Sequence, residues 1–222
     1  MKILYLTDSH FRDTNPINRL DDFYHIQFSK MKELKDICEN EKVNVVIFGG
    51  DLFDNPTPSY ELFNNILDFI INLNSEIYGI CGSHDLYGYN LETLNKTAIG
   101  TLIKVDAVRL LNDQLVCNKN YIIKGINARK RFSIDDYRID QKTDKIKIIV
   151  SHDPIVLEPV IYDYLLAKDI AKVTDADIIF CAHIHSQFDV EIKGKRFINP
   201  GPFTRQNINE SKIEPKICLL EI

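Results

Sequence analysis

Short polar runs that contain histidine, most of them with aspartate, carry the clearest chemical information in this sequence. Five of the six histidines lie in such polar runs, each following an apolar segment: Asp8-Ser9-His10, Ser83-His84-Asp85, Ser151-His152-Asp153 and His183-Ile184-His185. Another apolar segment, residues 43–48, ends in Gly49-Gly50-Asp51. Imidazole and carboxylate groups suit manganese, iron or zinc, and loops at strand ends can gather several of them. The pattern therefore predicts a transition-metal site.

The number of candidate ligands predicts two ions rather than one. Six strong candidates occur in these motifs: Asp8, His10, Asp51, His152, His183 and His185. A single catalytic ion with open positions takes fewer, and two ions that share a carboxylate account for all six. Two ions about 3.5–4 Å apart can hold a hydroxide and two phosphate oxygens for in-line attack. We therefore expect hydrolysis of a phosphate ester.

Each motif also has a purely structural interpretation when it is taken alone. A single aspartate after Gly-Gly is usually part of a turn, and a single histidine at a strand end is usually just hydrogen-bonded. Together the motifs favour the metal site, because unrelated causes would have to place five of six histidines at strand ends, three of them in runs with aspartate. His25, the sixth histidine, falls on a predicted helix, and we expect no function for it.

The motifs need strands that hold them at one edge of a sheet. Five short segments rich in Ile and Val lead into polar motifs and are predicted strands: residues 2–7, 43–48, 76–81, 146–150 and 177–182. Residues 20–40 and 60–73 have apolar residues at helical spacing. Residues 108–124 are predicted to form consecutive hairpins, and strands at 188–192, 196–198 and 216–220 would build a second, more antiparallel sheet. The predicted fold class is α/β, with two packed sheets flanked by helices.

Length and composition favour one large soluble domain. The chain has 222 residues and a net charge of −5, with acidic and basic residues interspersed and no evident linker. A broad basic face that would bind nucleic acid by charge alone is therefore not expected. The N-terminal apolar run is too short for a secretory signal, and no run is long enough to span a membrane. We expect a cytoplasmic protein without membrane attachment.

The ordered set of motifs resembles that of calcineurin-like metallophosphoesterases. The matching runs are Asp8-x-His10, Gly50-Asp51, Gly82-Ser83-His84-Asp85, Ser151-His152 and Ala182-His183-x-His185. The resemblance implies a four-layer αββα sandwich of two mixed sheets flanked by helices. It implies a single domain over residues 1–222 without a separate capping domain. It also implies a dinuclear metal site at the strand ends.

The resemblance further implies a role for each residue of the site. The implied ligands of the first ion are Asp8, His10, Asp51 and His185. The implied ligands of the second ion are the bridging Asp51 together with Ser83, His152 and His183. His84 would not bind metal and would act on the scissile phosphate or the leaving oxygen, which an imidazole beside two cations can do. Asp85 would either orient His84 through a ring nitrogen or serve only as a turn or cap residue.

Position 83 departs from the family pattern, which usually has asparagine there. The Ser83 hydroxyl is a shorter and weaker ligand than an amide oxygen, so the second ion would bind loosely or through a water. Activity would then depend on a high metal concentration. Two divalent ions are expected; manganese suits a mixed oxygen and nitrogen site, with iron, zinc and magnesium as alternatives.

Parts of residues 49–59 and 82–102 are similar to the nuclease branch of the family, the SbcD-type subunits of DNA double-strand-break repair complexes. The resemblance implies DNA as the substrate, a separate SbcC-like ATPase as a possible partner and a homodimer as a possible assembly. The stretch after His185 is short, so neither a DNA-capping domain nor an ATPase-docking segment is expected. Local phosphate contacts could come from four cations: Arg129, Lys130, Arg131 and Arg205.

Two other functions stay open at this point. A small-molecule phosphodiesterase or phosphomonoesterase would use the same ions in a closed pocket, whereas a nuclease needs an open groove that lets a strand pass over them. The third function is that of a scaffold that kept the fold and lost the chemistry. Only Ser83 supports the scaffold, while His84 and the six stronger ligands argue against it.

Overall fold

The computed structural model describes residues 1–17 and 19–222, and its first sheet is built mainly from the N-terminal half. Its five strands are β1 (Lys2–Leu6), β2 (Val45–Phe48), β3 (Glu76–Gly79), β4 (Arg109–Leu110) and β13 (Cys218–Glu221). Their order is β13-β1-β2-β3-β4, with β13 antiparallel and the others parallel. The carboxyl ends of β1, β2 and β3 therefore meet at one edge.

Three helices pack on one face of this sheet: α1 (Phe23–Glu41), α2 (Tyr60–Ile71) and α3 (Ala98–Lys104). Helix α1 begins after Asp22, whose side chain accepts a hydrogen bond from the His25 backbone amide at 3.1 Å. The helices predicted over residues 20–40 and 60–73 are confirmed, and this cap explains the later start of the first. Among the described residues, no helix has the length and apolar character that crossing a membrane requires.

The second sheet is built from the later part of the chain. Its strands are β5 (Val116–Cys117), β6 (Tyr121–Ile126), β7 (Ile146–Ser151), β10 (Ile178–Cys181), β11 (Phe188–Ile192) and β12 (Lys195–Asn199). Their order is β11-β12-β10-β7-β6-β5. Between β7 and β10 the chain forms a short strand pair, β8 (Ile155–Val156) with β9 (Leu165–Leu166), and then helix α4 (Ala167–Val173).

Three details of the predicted topology are wrong. Residues 108–124 do not form consecutive hairpins, because β4 pairs in parallel with β3 and only β5 and β6 form a hairpin. The last strand joins the first sheet beside β1 instead of the second sheet. The second sheet is mostly parallel, since β7 pairs in parallel with β6 and β10, and β10 pairs in parallel with β12. Helix α4 lies between β7 and β10 in the chain and explains why they pair in parallel. A crossover helix brings the chain back so that the next strand runs in the same direction.

Alternating side chains of the strands divide the core into layers. Ile3 and Tyr5 on β1 pack with the second sheet, whereas Leu4 and Leu6 pack with the helices. Tyr5 stacks on Phe180 of β10 between the sheets, with ring centroids 4.3 Å apart. The other face of the second sheet packs against α4. The four-layer αββα sandwich of two mixed sheets flanked by helices is therefore confirmed.

Candidate metal centre

The predicted site residues lie in loops that follow strands of both sheets. These strands are β1, β2, β3, β7 and β10, and each is paired in parallel with at least one other of the five. Because the two sheets pack face to face, their loops meet at one end of the sandwich. The residues brought there are Asp8, His10, Asp51, Ser83, His84, Asp85, His152, His183 and His185.

Four of the predicted ligands have left-handed backbone conformations. The φ angles are 50° at Asp8, 46° at His10, 50° at Asp51 and 68° at His183. Residues other than glycine rarely adopt this region, and each instance costs about 1–3 kcal/mol. Backbone hydrogen bonds hold two of the loops together, with Asp8 N donating to Gly50 O at 3.1 Å and His10 N donating to Asp51 O at 2.9 Å. Strain that the surrounding structure enforces in this way is typical of a functional site.

The first ligand cluster consists of Asp8, His10 and His185. His185 Nε2 lies 3.6 Å from Asp8 Oδ1 and 3.3 Å from His10 Nε2, and His10 Nε2 lies 4.0 Å from Asp8 Oδ1. Two ring nitrogens and a carboxylate oxygen therefore converge on one point. Such a donor set suits a divalent transition metal.

The second ligand cluster consists of Asp51, His152 and His183. Asp51 Oδ2 lies 3.2 Å from His152 Nε2, and it accepts a hydrogen bond from Ser83 Oγ at 3.2 Å. The same oxygen is 3.8 Å from His10 Nε2 of the first cluster. Asp51 thus lies between the two clusters, where a shared carboxylate would have to be.

The His152 ring shows that a cation fits the second cluster. His152 Nδ1 is 2.8 Å from the Gly49 carbonyl, to which it can only donate a proton. His152 Nε2 is buried and has no hydrogen-bond partner among the described residues, although Asp51 Oδ2 is 3.2 Å away. Beside the Asp51 carboxylate this nitrogen attracts a positive charge, and a cation would replace a proton there and accept the lone pair of the neutral ring. Within the part of the chain that the structure describes, His10 Nδ1 is another buried nitrogen without a hydrogen-bond partner.

The carboxylates give the site a strong preference for positive charge. Burial raises the pKa of Asp51, but His152 and the other nearby histidines outweigh it and hold that pKa well below its usual range. Burial lowers the pKa of His152, yet the Asp51 carboxylate raises it to about 10. Burial also lowers the pKa of His185, but the nearby Asp8 and Glu210 carboxylates outweigh it and raise that pKa to about 10. Protons and metal ions therefore compete for these nitrogens.

His84 lies at the exposed side of the two clusters. Its backbone amide donates to Asp51 Oδ1 at 2.7 Å, and its ring Nδ1 donates to the Asp54 carbonyl at 2.7 Å. The ring packs edge-on against His10, with centroids 4.7 Å apart. Ligand atoms of His10, Asp51 and His84 also lie close enough for one ion. The predicted role of His84 outside the metal shell stays a prediction.

Asp85 is buried and joins two loops of the site. Its Oδ2 accepts the Gly82 amide at 2.8 Å, and its Oδ1 accepts the Leu52 and Phe53 amides at 3.1 and 3.3 Å. Burial, aided by the nearby Asp51 carboxylate, raises its pKa to about 7. The partner of the His84 ring is the Asp54 carbonyl, so these contacts favour the turn-anchoring alternative for Asp85.

Glu210 is a part of the site that sequence reasoning missed. Its Oε1 hydrogen-bonds His185 Nδ1, and its Oε2 accepts the backbone amides of Gln206 and Asn207. The residue is only 4% exposed. Asn207 and Glu210 form a capping box that the sequence contains, but that motif indicates a helix start and not a contact with a distant histidine.

Two of the four cations suggested for phosphate contacts are already engaged. The Arg129 guanidinium is 2.8 Å from Asp153 and 3.0 Å from Asp136. Arg205 donates to the Ser211 carbonyl at 3.0 Å. Lys130 and Arg131 are exposed. The sequence also missed Arg12, whose guanidinium lies 3.4 Å from the Asp54 carboxylate beside the first cluster.

Two cavities flank the ligand clusters and share His183. One has a volume of about 410 Å³ and is lined by residues that include His10, Arg12, Asp54, His84, His185 and Gln206. The other has a volume of about 440 Å³ and is lined by residues that include Tyr89, Lys130, Phe132, His152, Tyr162 and Asp163. Both are open to solvent and both have the size of ligand sites. The candidate metal centre therefore adjoins two cavities that are open to solvent, and we call this pair of cavities the groove.

Comparisons with known proteins agree with this geometry. A model of the calcineurin-like phosphoesterase family matches residues 1–187. The DNA double-strand break repair protein Mre11 of Saccharolobus solfataricus is 31% identical over 136 residues, which are 58% of this chain and 32% of that protein. The matched part thus spans about a third of the relative's length.

Solved structures agree at the level of the fold. The calcineurin-like phosphoesterase YfkN from Bacillus subtilis has a TM-score of 0.62 at 16% identity, covering 91% of this chain and 81% of that one. A dimetal phosphatase from Danio rerio has a TM-score of 0.60 at 11% identity, and the match covers 90% of this chain and 87% of that one. The chain therefore belongs to the calcineurin-like phosphoesterase family, whose members are hydrolases that act on phosphoester bonds at a dinuclear metal site.

Proposed function

We propose that this protein is a divalent-metal-dependent nuclease that hydrolyses DNA phosphodiester bonds. The observation that carries the proposal is the groove formed by two open cavities that share His183 and run along both ligand clusters. A polynucleotide extends on both sides of its scissile phosphate, and such a groove has room for both sides. The similarity of residues in this chain to a protein named for DNA double-strand break repair supports the same substrate.

In this proposal the first ion is bound by Asp8, His10, Asp51 and His185, and the second by Asp51, Ser83, His152 and His183. The short distances within each cluster and the position of Asp51 between them support this division. Manganese is the proposed ion, since it accepts both the imidazole nitrogens and the carboxylate and hydroxyl oxygens. The bound ions would supply an activated water and neutralise charge on the phosphate.

His84 would supply the proton that the leaving oxygen needs. Its Nδ1 proton is held by the Asp54 carbonyl at 2.7 Å, which fixes the ring and leaves Nε2 for the substrate. A protonated Nε2 can donate to the departing oxygen as the bond to phosphorus breaks. Asp85 would act indirectly, since its three backbone contacts hold the loops of Asp51 and His84 together.

The alternative is a small-molecule phosphodiesterase or phosphomonoesterase. The net charge of −5 favours it, because polynucleotide binding usually draws on a basic surface. The alternative predicts rapid turnover of a small phosphoester and no preference for a polymer. An SbcC-like ATPase partner and a homodimer stay predictions, which the mass of the purified protein with and without such an ATPase would test.

The decisive experiment compares wild type, His84→Ala and His25→Ala on end-labelled linear and single-stranded DNA with manganese, and on an aryl phosphodiester. His25 is an exposed histidine on α1 and serves as the matched control. We expect the wild type and His25→Ala to degrade DNA far better than the aryl ester, and His84→Ala to lose about 10²–10⁴-fold in rate. Aryl ester turnover with intact DNA would favour the alternative. Inactivity on both substrates, with metal bound, would favour a scaffold.

A further inference from the structure

We infer that the cavity on the His152 side of the groove binds the nucleobase of a nucleotide next to the scissile phosphate. We call it the aromatic cavity, defined by Tyr89, Phe132 and Tyr162 together with His152 and His183. The inference rests on the proposed nuclease function and adds a specific contact with the substrate. Stacking on the tyrosines would hold the base whatever its identity.

The aromatic cavity adjoins the second ligand cluster. His152 and His183 belong to the second ligand cluster and also line the cavity. A phosphate bound at the second cluster therefore has one neighbouring nucleoside at the mouth of the aromatic cavity. The volume of about 440 Å³ lies within the range of small-molecule sites.

The aromatic side chains come from three different loops. Tyr89 follows β3, Phe132 follows β6, and Tyr162 lies between β8 and β9. Tyr89 is 44% exposed and Tyr162 is 48% exposed, so large parts of both rings are open to a ligand. Every nucleobase has a π-face, and stacking on such rings is the usual way in which single strands are held without sequence preference.

The floor of the cavity is held rigidly by contacts that do not involve a ligand. Arg129 pairs with Asp153 at 2.8 Å, and Tyr137 donates to the same carboxylate at 3.1 Å. The backbone amide of Ala128 donates to the Cys81 carbonyl at 2.8 Å. A site that is already ordered loses less entropy when it binds a base.

Charges at the rim fit a nucleotide in one orientation. Asp163 and two cations, Arg129 and Lys130, line the cavity, but Arg129 is already paired with Asp153 and Asp136. Asp163 offsets the remaining cation, so the interior suits an uncharged base better than a phosphate. Lys130 is exposed at the same cavity, where its ammonium would be available to the phosphate of the next nucleotide.

The test compares two oligomers of equal length and charge, oligothymidylate and an oligomer of abasic tetrahydrofuran residues, with the manganese-loaded enzyme. The variants are Tyr162→Ala, Tyr162→Phe and Tyr89→Ala, with Tyr60→Ala as control because Tyr60 is 88% exposed on α2 and does not line the cavity. We expect the wild-type KM to be roughly 5- to 100-fold lower for oligothymidylate than for the abasic oligomer. Each alanine variant of the cavity should remove most of this difference, whereas Tyr162→Phe and Tyr60→Ala should keep it.

A binding measurement separates failure of this inference from failure of the nuclease proposal. Calorimetric titration of the manganese-loaded enzyme compares thymidine 5′-monophosphate with deoxyribose 5-phosphate. Cleavage of both oligomers with equal KM, unaffected by the alanine variants, would overturn the aromatic cavity and leave the nuclease proposal standing. A second outcome is that DNA is not cleaved, that thymidine 5′-monophosphate binds more tightly than deoxyribose 5-phosphate, and that Tyr162→Ala abolishes this difference. That outcome would uphold the cavity and reject the nuclease. Equal binding of both phosphates without DNA cleavage would reject both.

Discussion

At the scale of single residues, the contact between Asp51 and Ser83 bears on how the second ligand cluster would hold an ion. The Ser83 hydroxyl lies 3.2 Å from the Asp51 carboxylate and is only partly buried, so it faces the cluster and has room around it. A hydroxyl reaches less far than the amide that the family usually has at this position. The residue at position 83 should therefore control how tightly the second ion binds.

Replacing Ser83 with asparagine should strengthen the binding of the second ion. Ser83→Asn supplies an amide oxygen on a longer side chain, and we expect the manganese concentration for half-maximal activity to fall roughly tenfold. Titration of activity against free manganese measures this. Ser83→Ala is the matched control and should require more manganese than wild type. Equal manganese requirements in all three proteins would show that position 83 is not a ligand.

Glu210 should act as a positioning residue for His185. Because its carboxylate holds Nδ1 of the ring, Nε2 is directed towards Asp8 and His10. We expect Glu210→Ala to weaken manganese binding about 10- to 100-fold, and Glu210→Gln, which keeps an acceptor, to weaken it less. Electron paramagnetic resonance of bound and free manganese measures the affinity. The exposed Glu214→Gln is the control, and an effect equal to that of Glu210→Gln would contradict the assignment.

At the scale of elements, close approach of two loops positions the shared carboxylate. A Cβ at Gly82 would lie 2.1 Å from Asp51 Oδ1 and 2.2 Å from the Asp51 backbone nitrogen. Only a glycine lets the loop after β3 pass so close to the loop after β2. The hydrogen bond from Gly82 N to Asp85 then fixes this approach.

Gly82→Ala should therefore disrupt the metal centre through the backbone. The added methyl group must displace Asp51, so we expect loss of manganese binding and a destabilisation of about 3 kcal/mol. Gly194→Ala is the control, since its Cβ meets nothing within 4 Å and its φ of +72° alone should cost about 1–2 kcal/mol. Denaturant unfolding and manganese binding check both variants. Normal manganese binding by Gly82→Ala would contradict the role given to this loop contact.

At the scale of the whole molecule, the candidate ligands connect the two sheets. Asp8 and Asp51 follow strands of the first sheet, whereas His152, His183 and His185 follow strands of the second. An ion bound at either cluster would therefore join the two halves of the sandwich. Ion binding and folding should be linked, because the unfolded chain has no such arrangement of ligands.

Manganese should stabilise the fold, and the effect should grow with pH. An ion present at 100 times its dissociation constant adds about 2.7 kcal/mol to the free energy of unfolding. This corresponds to a rise in Tm of roughly 5–10 °C for a domain of this size. The pKa values of about 10 for His152 and His185 mean that both rings are protonated at neutral pH without metal. Ion binding must release these protons, so the affinity should rise about tenfold per pH unit for each proton released.

Thermal unfolding and manganese titration at pH 6.5 and 7.5 check this prediction. Without metal, the stability of the fold should instead fall as the pH rises. Both folded-state pKa values lie above the unfolded value, so the stability that these histidines contribute is complete below about pH 6.5 and declines as the pH rises towards 10. A manganese affinity that stays constant between the two pH values would show that protons do not occupy the ligand nitrogens.

Local sequence patterns were enough to predict the strands of the site and its candidate ligands. Apolar segments that end in Asp8-x-His10, Gly50-Asp51 and His183-x-His185 are local patterns, and strand ends of parallel neighbours must meet at one edge. Local patterns did not predict which strands pair. Strands β4 and β5 have only two residues each, too few for their sequence to indicate a partner strand. The crossing of the chain from the first sheet at β4 to the second sheet at β5 was therefore not predicted.

Tertiary structure alone decided which distant groups support these ligands. Glu210 contacts His185 across 25 positions of the chain, and the Asp54 carbonyl holds the ring of His84 across 30. Neither contact can be predicted from the sequence. A glutamate in a capping box and a backbone carbonyl occur in the same local sequence whether or not a distant histidine contacts them. The groove is likewise a product of loops from both sheets. Ligand types follow from residue chemistry, but their orientation and the space above them follow from how the two sheets pack.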